Sequence, residues 1–480
     1  MKTTPHYTDS IEHLLDLIEN TRYEDLPAPA LAAAKVFFLD TVGVACAGKL
    51  APRMQAMMAA AAKWDVGNDQ GVAVWNTGKR ASAPVAALLN GYQCHALEYD
   101  CVYEPGVILP TPPIFSALMV QAERMASIGQ APSGKELLKA FVVALEVSCT
   151  LAMASKSAMF FFRPSTTGVF SALAAIACLS PLPREQLRYA FGIGYSQMGG
   201  TMQAHEEGSM MLAMQMGFAA RNALQAYDMA ALGITAPIEV LDGRFGFFHN
   251  FEKENTLPDA LAQIGKPWKV TQLSHKPFPS GRVTHGSIHA LRTLQGRLNL
   301  TRDMVDQEVK RITVKLPPLG MRLVGRPMIA SPPPNYARLC IPYVAACELL
   351  YGSVDPGSFV PEKLADTGIE HLARKVVTVE VAHPNPNAFY PQHLTLELAD
   401  GRIFEHPIPY AWGHPLLPLL PQERDDKFRL CWRLTKGSNP ASEQTMESSI
   451  AWLRDLPDAP SCVPLLDLLL GMQQAEAMSI

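Results

Sequence analysis

Residues 95–113 read HALEYDCVYEPGVILPTPP and set His95, three carboxylates (Glu98, Asp100, Glu104) and two tyrosines (Tyr99, Tyr103) beside a proline-rich turn. Asp100 follows His95 by five positions, and Glu98 and Glu104 lie further round, so one helix end and its loop could aim several ionisable groups into one cleft. Such a platform suits proton transfer, with Asp100 or Glu98 as the base, its pKa raised by burial beside a second carboxylate. Tyr103 is a candidate for substrate contact. The same residues also fit a plainer arrangement in which the carboxylates solvate a helix end and His95 is a satisfied core histidine. Cys101 is a poor nucleophile, because the aspartate beside it disfavours the thiolate.

A second constellation, KPFPSGRVTH at 276–285, gathers Lys276, Arg282 and His285 in a loop fixed by Pro277 and Pro279. Lysine and arginine suit carboxylate binding, the arginine through a two-pronged fork, and together they could stabilise enolate-like charge. His285 is a second candidate for proton transfer, and the alternative for the whole stretch is a solvated basic loop. Arg163, in FFFRPSTTG just before a helix start, is a candidate for anion binding, or else stacks on Phe161 or Phe162. His205, in AHEE at 204–207, precedes a long helix whose first N–H groups would face a bound anion. Glu206 and Glu207 fit instead an acidic helix start that complements the helix dipole.

The elements that must hold these residues are mostly helices. Ile11, Leu14, Leu15 and Ile18 have amphipathic helical spacing, with Ser10 as the cap. Residues 31–48 are apolar all round, as suits a helix inside a bundle. Helical patterns continue through 84–97, 113–128, 137–154 (after the capping box Ser133-x-x-Glu136), a stretch capped by Ser165, one begun by Pro183, and the Met-rich 208–233. Near residue 267 the texture changes. Strand patterns appear at 269–273, 309–316, 375–382 and in a hairpin at 393–406 turning on Asp400-Gly401, with helices near 284–298 and 336–351 between them. The tail returns to helix. The reading is mainly α: an all-helical domain made of residues 1–267 and 411–480, and a smaller α+β domain at 268–410.

At 480 residues the chain is long enough for two cores, and 48% apolar against 18% charged residues excludes disorder. A net charge of −4 without a basic cluster gives no footprint for nucleic acid or a membrane surface. The nine cysteines are odd in number, scattered, and set in apolar runs, which suits reduced core thiols. No CxxC, HExxH, P-loop or GxGxxG at a strand–helix junction announces a metal or nucleotide. The opening MKTTPHYTDS lacks the apolar run of a signal peptide, and 137–154 carries Lys139 and Glu146, so a cytoplasmic protein is expected.

LDTVGVACAG near 39–48, NGYQCHALEYD at 90–100, GFAARNALQAYDMAALGITAPIEVLDGRFGF at 217–247, KPFPSGRVTH at 276–285, and VGRP with ARLCIPYVAA at 324–346 together resemble the MmgE/PrpD family. This family includes 2-methylcitrate dehydratase, cis-aconitate decarboxylase and iminodisuccinate epimerase. The resemblance runs in order along nearly the whole chain. It implies a large helical domain made from both chain ends, a smaller α+β lid, a homodimer, and an active site between the domains that uses neither metal nor cofactor. Where the family reads like DYDD, this chain has Glu98-Tyr99-Asp100-Cys101. Family histidines are matched here by Leu109, Arg163 and Gly281 and a family lysine by Leu212, while Lys276 and the His285 position are kept.

The resemblance thus implies a cofactor-free lyase or isomerase that removes a proton next to a carboxylate of a small polycarboxylic acid. The expected catalytic residues are Asp100, Glu98, Lys276 and His285, and the expected substrate contacts Arg163, Arg282, Tyr103 and His205. Leucines where acid/base groups are expected leave two alternatives open: a dicarboxylate epimerase or isomerase, and a catalytically silent relative with a binding or assembly role.

Overall fold

The computed structural model describes residues 9–65 and 71–471. It is mainly helical, with a two-stranded hairpin, β1 (Val72–Val74) and β2 (Lys79–Ala81), and one four-stranded mixed sheet. One large apolar cluster joins helices between Ile11 and Leu273 to the tail residues Phe428–Leu470. A second joins residues 278–408 and takes in Val102, Val107 and Met159 from the helical part. The loop after His95 therefore lies along the seam between the two.

Two helices at the heart of the first cluster are apolar all round, as the sequence suggests. Ala28–Ala47 packs against the C-terminal helix Pro421–Lys436, whose Lys427 ion-pairs with its Asp40 at 2.7 Å. Gly134–Ala154 starts at a reciprocal capping box, with the Ser133 hydroxyl accepting from the Glu136 amide and the Glu136 carboxylate accepting from the Ser133 amide. Helices Ala83–His95 and Met211–Ala231 cross at Gly91 and Gly217. A Cβ on Gly217 would stand 2.1 Å from the Leu88 carbonyl oxygen, so only glycine permits that approach. This crossing fixes His95, at the end of one helix, relative to Leu212, at the start of the other.

The sheet has the order β4 (Val376–Glu380), β3 (Val309–Leu316), β5 (Gln392–Leu398), β6 (Ile403–Ile408), with β3 parallel to β4 and the other pairs antiparallel. Gln392, Leu394, Leu396 and Leu398 face inward at period two, and Gly401 supplies the positive φ of the hairpin turn. Helices His285–Leu298 and Ile341–Tyr351 pack on this unit.

Three local expectations fail for identifiable reasons. Residues 269–273 are not a strand: Lys269–Gln272 is a 3₁₀ turn, because the buried Glu146 carboxylate captures the Lys269 ammonium at 2.7 Å and the amides of Lys269 and Gly265 at 2.8 Å. Ser10 does not cap the first helix, Ile11–Asn20; its hydroxyl donates to Asp242, and the Asp9 carboxylate accepts from the Ile11 amide. Ser165 lies inside the helix Arg163–Leu179, its hydroxyl donating to the Gly199 and Gln215 carbonyls. The short β1–β2 hairpin was not evident in the sequence. The expected helical pattern beyond Gly471 falls outside the described residues.

Candidate active site

The loop after His95 and the loop carrying Lys276 are held together by backbone. Val102 and Ser274 exchange amide–carbonyl hydrogen bonds at 3.0 and 2.8 Å, which puts Lys276 opposite Glu98. Lys276 Nζ donates to the Glu98 carboxylate at 2.8 Å and to the Glu98 carbonyl at 3.2 Å. Glu98 adopts φ = +52°, an uncommon conformation for a residue with a side chain, at the turn between the helix end and the extended Val102. Lys427 Nζ donates to the next carbonyl, Tyr99, at 2.8 Å, so the C-terminal helix pins the same loop from behind.

Behind Glu98 stands a buried relay. His95 Nδ1 is 2.9 Å from Asp100 Oδ1, and its Nε2 lies 3.3 Å from Glu98 Oε1, off the line of a well-formed hydrogen bond. Burial would push the imidazole down, but Asp100 and then Glu98 outweigh it and raise its pKa to about 9. His95 is therefore an imidazolium at neutral pH. Burial likewise disfavours the Glu98 carboxylate, yet Lys276 and His95 outweigh that and hold its carboxyl well below the ordinary range. The expected base with a raised pKa is thus not what Glu98 is in the free protein, because it faces two cations rather than a second carboxylate. Asp100 faces His95 and does not line the cleft.

Glu98 and Lys276 open on a narrow cleft with about 540 Å³ of free space, its mouth included. His205 and Arg282 also line it, and Leu109, Phe162, Leu212, Leu323, Leu339 and Phe389 form much of the rest. Burial, and then Arg326 beside it, depress His205 to about 4, so it is neutral at pH 7. Arg282 is a structural clamp as much as a wall residue. Its Nε donates to Glu104 at 2.7 Å, and its two terminal nitrogens donate to the carbonyls of His275, Trp412 and Ala411.

Three other expected site residues lie elsewhere. Arg163 is fully buried and forked onto Glu252 at 2.6 and 3.1 Å, with two further donors on the Gly106 and Ser157 carbonyls, and it does not line the cleft. Tyr103 is buried with its hydroxyl near Gln272 and Met153, away from the cleft wall. His285 donates through Nε2 to the Ser280 carbonyl, and burial and then Arg282 press its pKa well down, so it braces the 280–285 loop as a neutral ring. Cys101 is buried and its thiol is pushed up by that burial. Among the described residues no group of three His, Cys, Asp or Glu side chains converges as a metal site would.

The opening histidine is the site residue that sequence reasoning undervalued; its signal was the five-residue spacing to Asp100. The chain is thus mainly helical and brings one carboxylate–lysine pair, backed by a buried histidine, to a cleft between two apolar cores. Residues 12–259 match the MmgE/PrpD N-terminal domain and residues 278–455 the MmgE/PrpD C-terminal domain, so the chain belongs to the MmgE/PrpD family. It is 28% identical to the cis-aconitate decarboxylase of Homo sapiens over 412 residues, covering 82% of this chain and 81% of that one. The Mus musculus cis-aconitate decarboxylase is 27% identical over 406 residues, 80% and 78% of the two chains. A cis-aconitate decarboxylase-like protein, oryM, of Aspergillus oryzae is 28% identical over 480 residues, 94% and 96% of the two.

Proposed function

We propose that this chain is a lyase of the MmgE/PrpD type, a decarboxylase or hydro-lyase, that moves a proton at the carbon next to a carboxylate without a cofactor. The observation that carries the reading is the Glu98–Lys276 pair at the cleft wall, one acceptor and one cation within 2.8 Å of each other. Relatives named cis-aconitate decarboxylase support the reaction class. The second apolar cluster, with its sheet, would act as the smaller α+β lid over the helical body.

Glu98 is ionised and poorly basic while Lys276 neutralises it. A substrate carboxylate drawn to Lys276 shares that cation and adds its own negative field, and both effects raise the pKa of Glu98 toward the working range of a general base. In a hydro-lyase Glu98 would then take the proton from carbon and give it to the departing hydroxide as water; in a decarboxylase the protonated Glu98 would give its proton to the carbon that loses CO₂. Lys276 would stabilise charge growing on the carboxylate, and the His95 imidazolium, braced by Asp100, would hold Glu98 in place. His95 and Asp100 are positioning residues in this scheme.

The test is incubation with cis-aconitate, 2-methylcitrate, citrate and simple carboxylic acids in deuterated water, followed by proton NMR. Deuterium at the carbon next to a carboxylate, with or without loss of CO₂ or water, is the expected result. A second reading, a silent binding protein, is favoured by Leu109 and Leu212 in the cleft wall. It predicts saturable binding with no exchange for any acid, a result that would overturn the lyase reading.

A further inference from the structure

We infer that the cleft accepts a carboxylic acid with a single anionic head and an apolar body, rather than a tricarboxylate. The inference rests on the reading that this cleft is the substrate site, and it narrows the substrate class.

The first ground is the count of charged groups a ligand can touch. Glu98, Lys276, His205 and Arg282 are the ionisable side chains in the wall. Arg282 has its donors on Glu104 and on three backbone carbonyls. His205 is neutral and buried, with Arg326 donating to its carbonyl at 3.0 Å. Lys276 directs two of its three N–H donors at Glu98 and keeps one. One carboxylate can therefore be met, by Lys276 with His205 beside it. Arg326 and Arg338 have buried donors without partners and feel the charge of Glu98, but both stand behind the residues that form the wall.

The second ground is what surrounds that head. Leu109, Phe162, Leu212, Leu323, Leu339 and Phe389 would lie against the rest of any ligand. A second or third carboxylate placed there loses its water and gains no donor. A hydrocarbon chain in the same space gains instead. The backbone makes the room: a Cβ on Gly281 would come within 2.8 Å of Leu339 and 3.0 Å of Val324, both in the wall.

Calorimetric titration of the full-length protein with butyrate, hexanoate and octanoate, alongside citrate and cis-aconitate, tests this directly. The expected result is affinity that rises about three- to fourfold for each added methylene, with citrate and cis-aconitate weaker than octanoate. Gly281→Val, at an ordinary negative φ of −57°, should fill the cleft and weaken octanoate at least about tenfold while the protein stays folded. Leu212→Asn should likewise weaken octanoate. Affinity flat with chain length, tighter binding of citrate or cis-aconitate, or octanoate binding untouched by Gly281→Val would each overturn the inference. Its failure is separable from that of the lyase reading: octanoate seated in the cleft without deuterium exchange of any acid sinks the reaction alone, and cis-aconitate that binds more tightly and turns over sinks the apolar substrate alone.

Discussion

Glu98 and Lys276, 178 residues apart in the chain, meet at 2.8 Å and between them carry the only carboxylate–lysine contact on the wall of the cleft, as far as the described residues go. The pair is backed on one side by His95 and Asp100 and set by the Val102–Ser274 bridge on the other. It fixes both the charge state of the site and the register of the two loops.

Because the two side chains compensate each other while mostly out of water, single and double replacements should not add. Lys276→Met alone leaves Glu98 facing only His95, and Glu98→Gln alone leaves an ammonium with a neutral amide. The double variant should be more stable than the sum of the single losses predicts, by at least about 1 kcal/mol. Urea unfolding of the four proteins measures the coupling, and additivity within about 0.3 kcal/mol would mean the contact carries no free energy.

The pH dependence of stability draws on buried histidines shifted in opposite directions, His95 upward and His205, His275 and His285 downward. His95 has a folded pKa raised to about 9, so its contribution is complete below about pH 6.5 and is lost as pH rises through 9. His205, depressed to about 4, contributes fully above about pH 6.5 and loses that contribution as pH falls toward 4. Stability should therefore peak near neutrality. His95→Gln should flatten the alkaline limb by up to about 3 kcal/mol, and His205→Gln should reduce the acid limb that His275 and His285 share, in unfolding midpoints followed from pH 4 to 10.

Much of the helical frame is readable in the sequence because burial imposes a period of 3.6 and caps mark the ends. Ser133-x-x-Glu136 and the strand at 309–316 are where the pattern places them. The two clusters around residues 98 and 276 are likewise visible as chemistry. What the pattern cannot carry is long-range electrostatics. Arg163 looks free beside a helix start, and its partner Glu252 is 89 residues away. Glu98 and not Asp100 faces Lys276 because of a left-handed backbone turn that no glycine signals. Residues 269–273 read as a strand until Glu146, more than a hundred residues earlier, claims the amide of Lys269.

Arg163 gives a test of a structural role against a substrate role. Arg163→Met leaves Glu252 buried without its guanidinium and should cost about 3–5 kcal/mol of stability, part of which Glu252→Gln in the same chain restores. Denaturant unfolding checks both the loss and its partial recovery. A stable Arg163→Met protein with weakened ligand binding would instead return this arginine to the site.

The most direct measurement is the rate of hydrogen–deuterium exchange at the carbon next to the carboxylate, for the best acid found, in the parent protein and in Glu98→Gln. Loss of a general base predicts a fall of about 10²–10⁴-fold with the fold intact by circular dichroism. A Glu98→Gln rate within about threefold of the parent's would contradict proton transfer at this carboxylate.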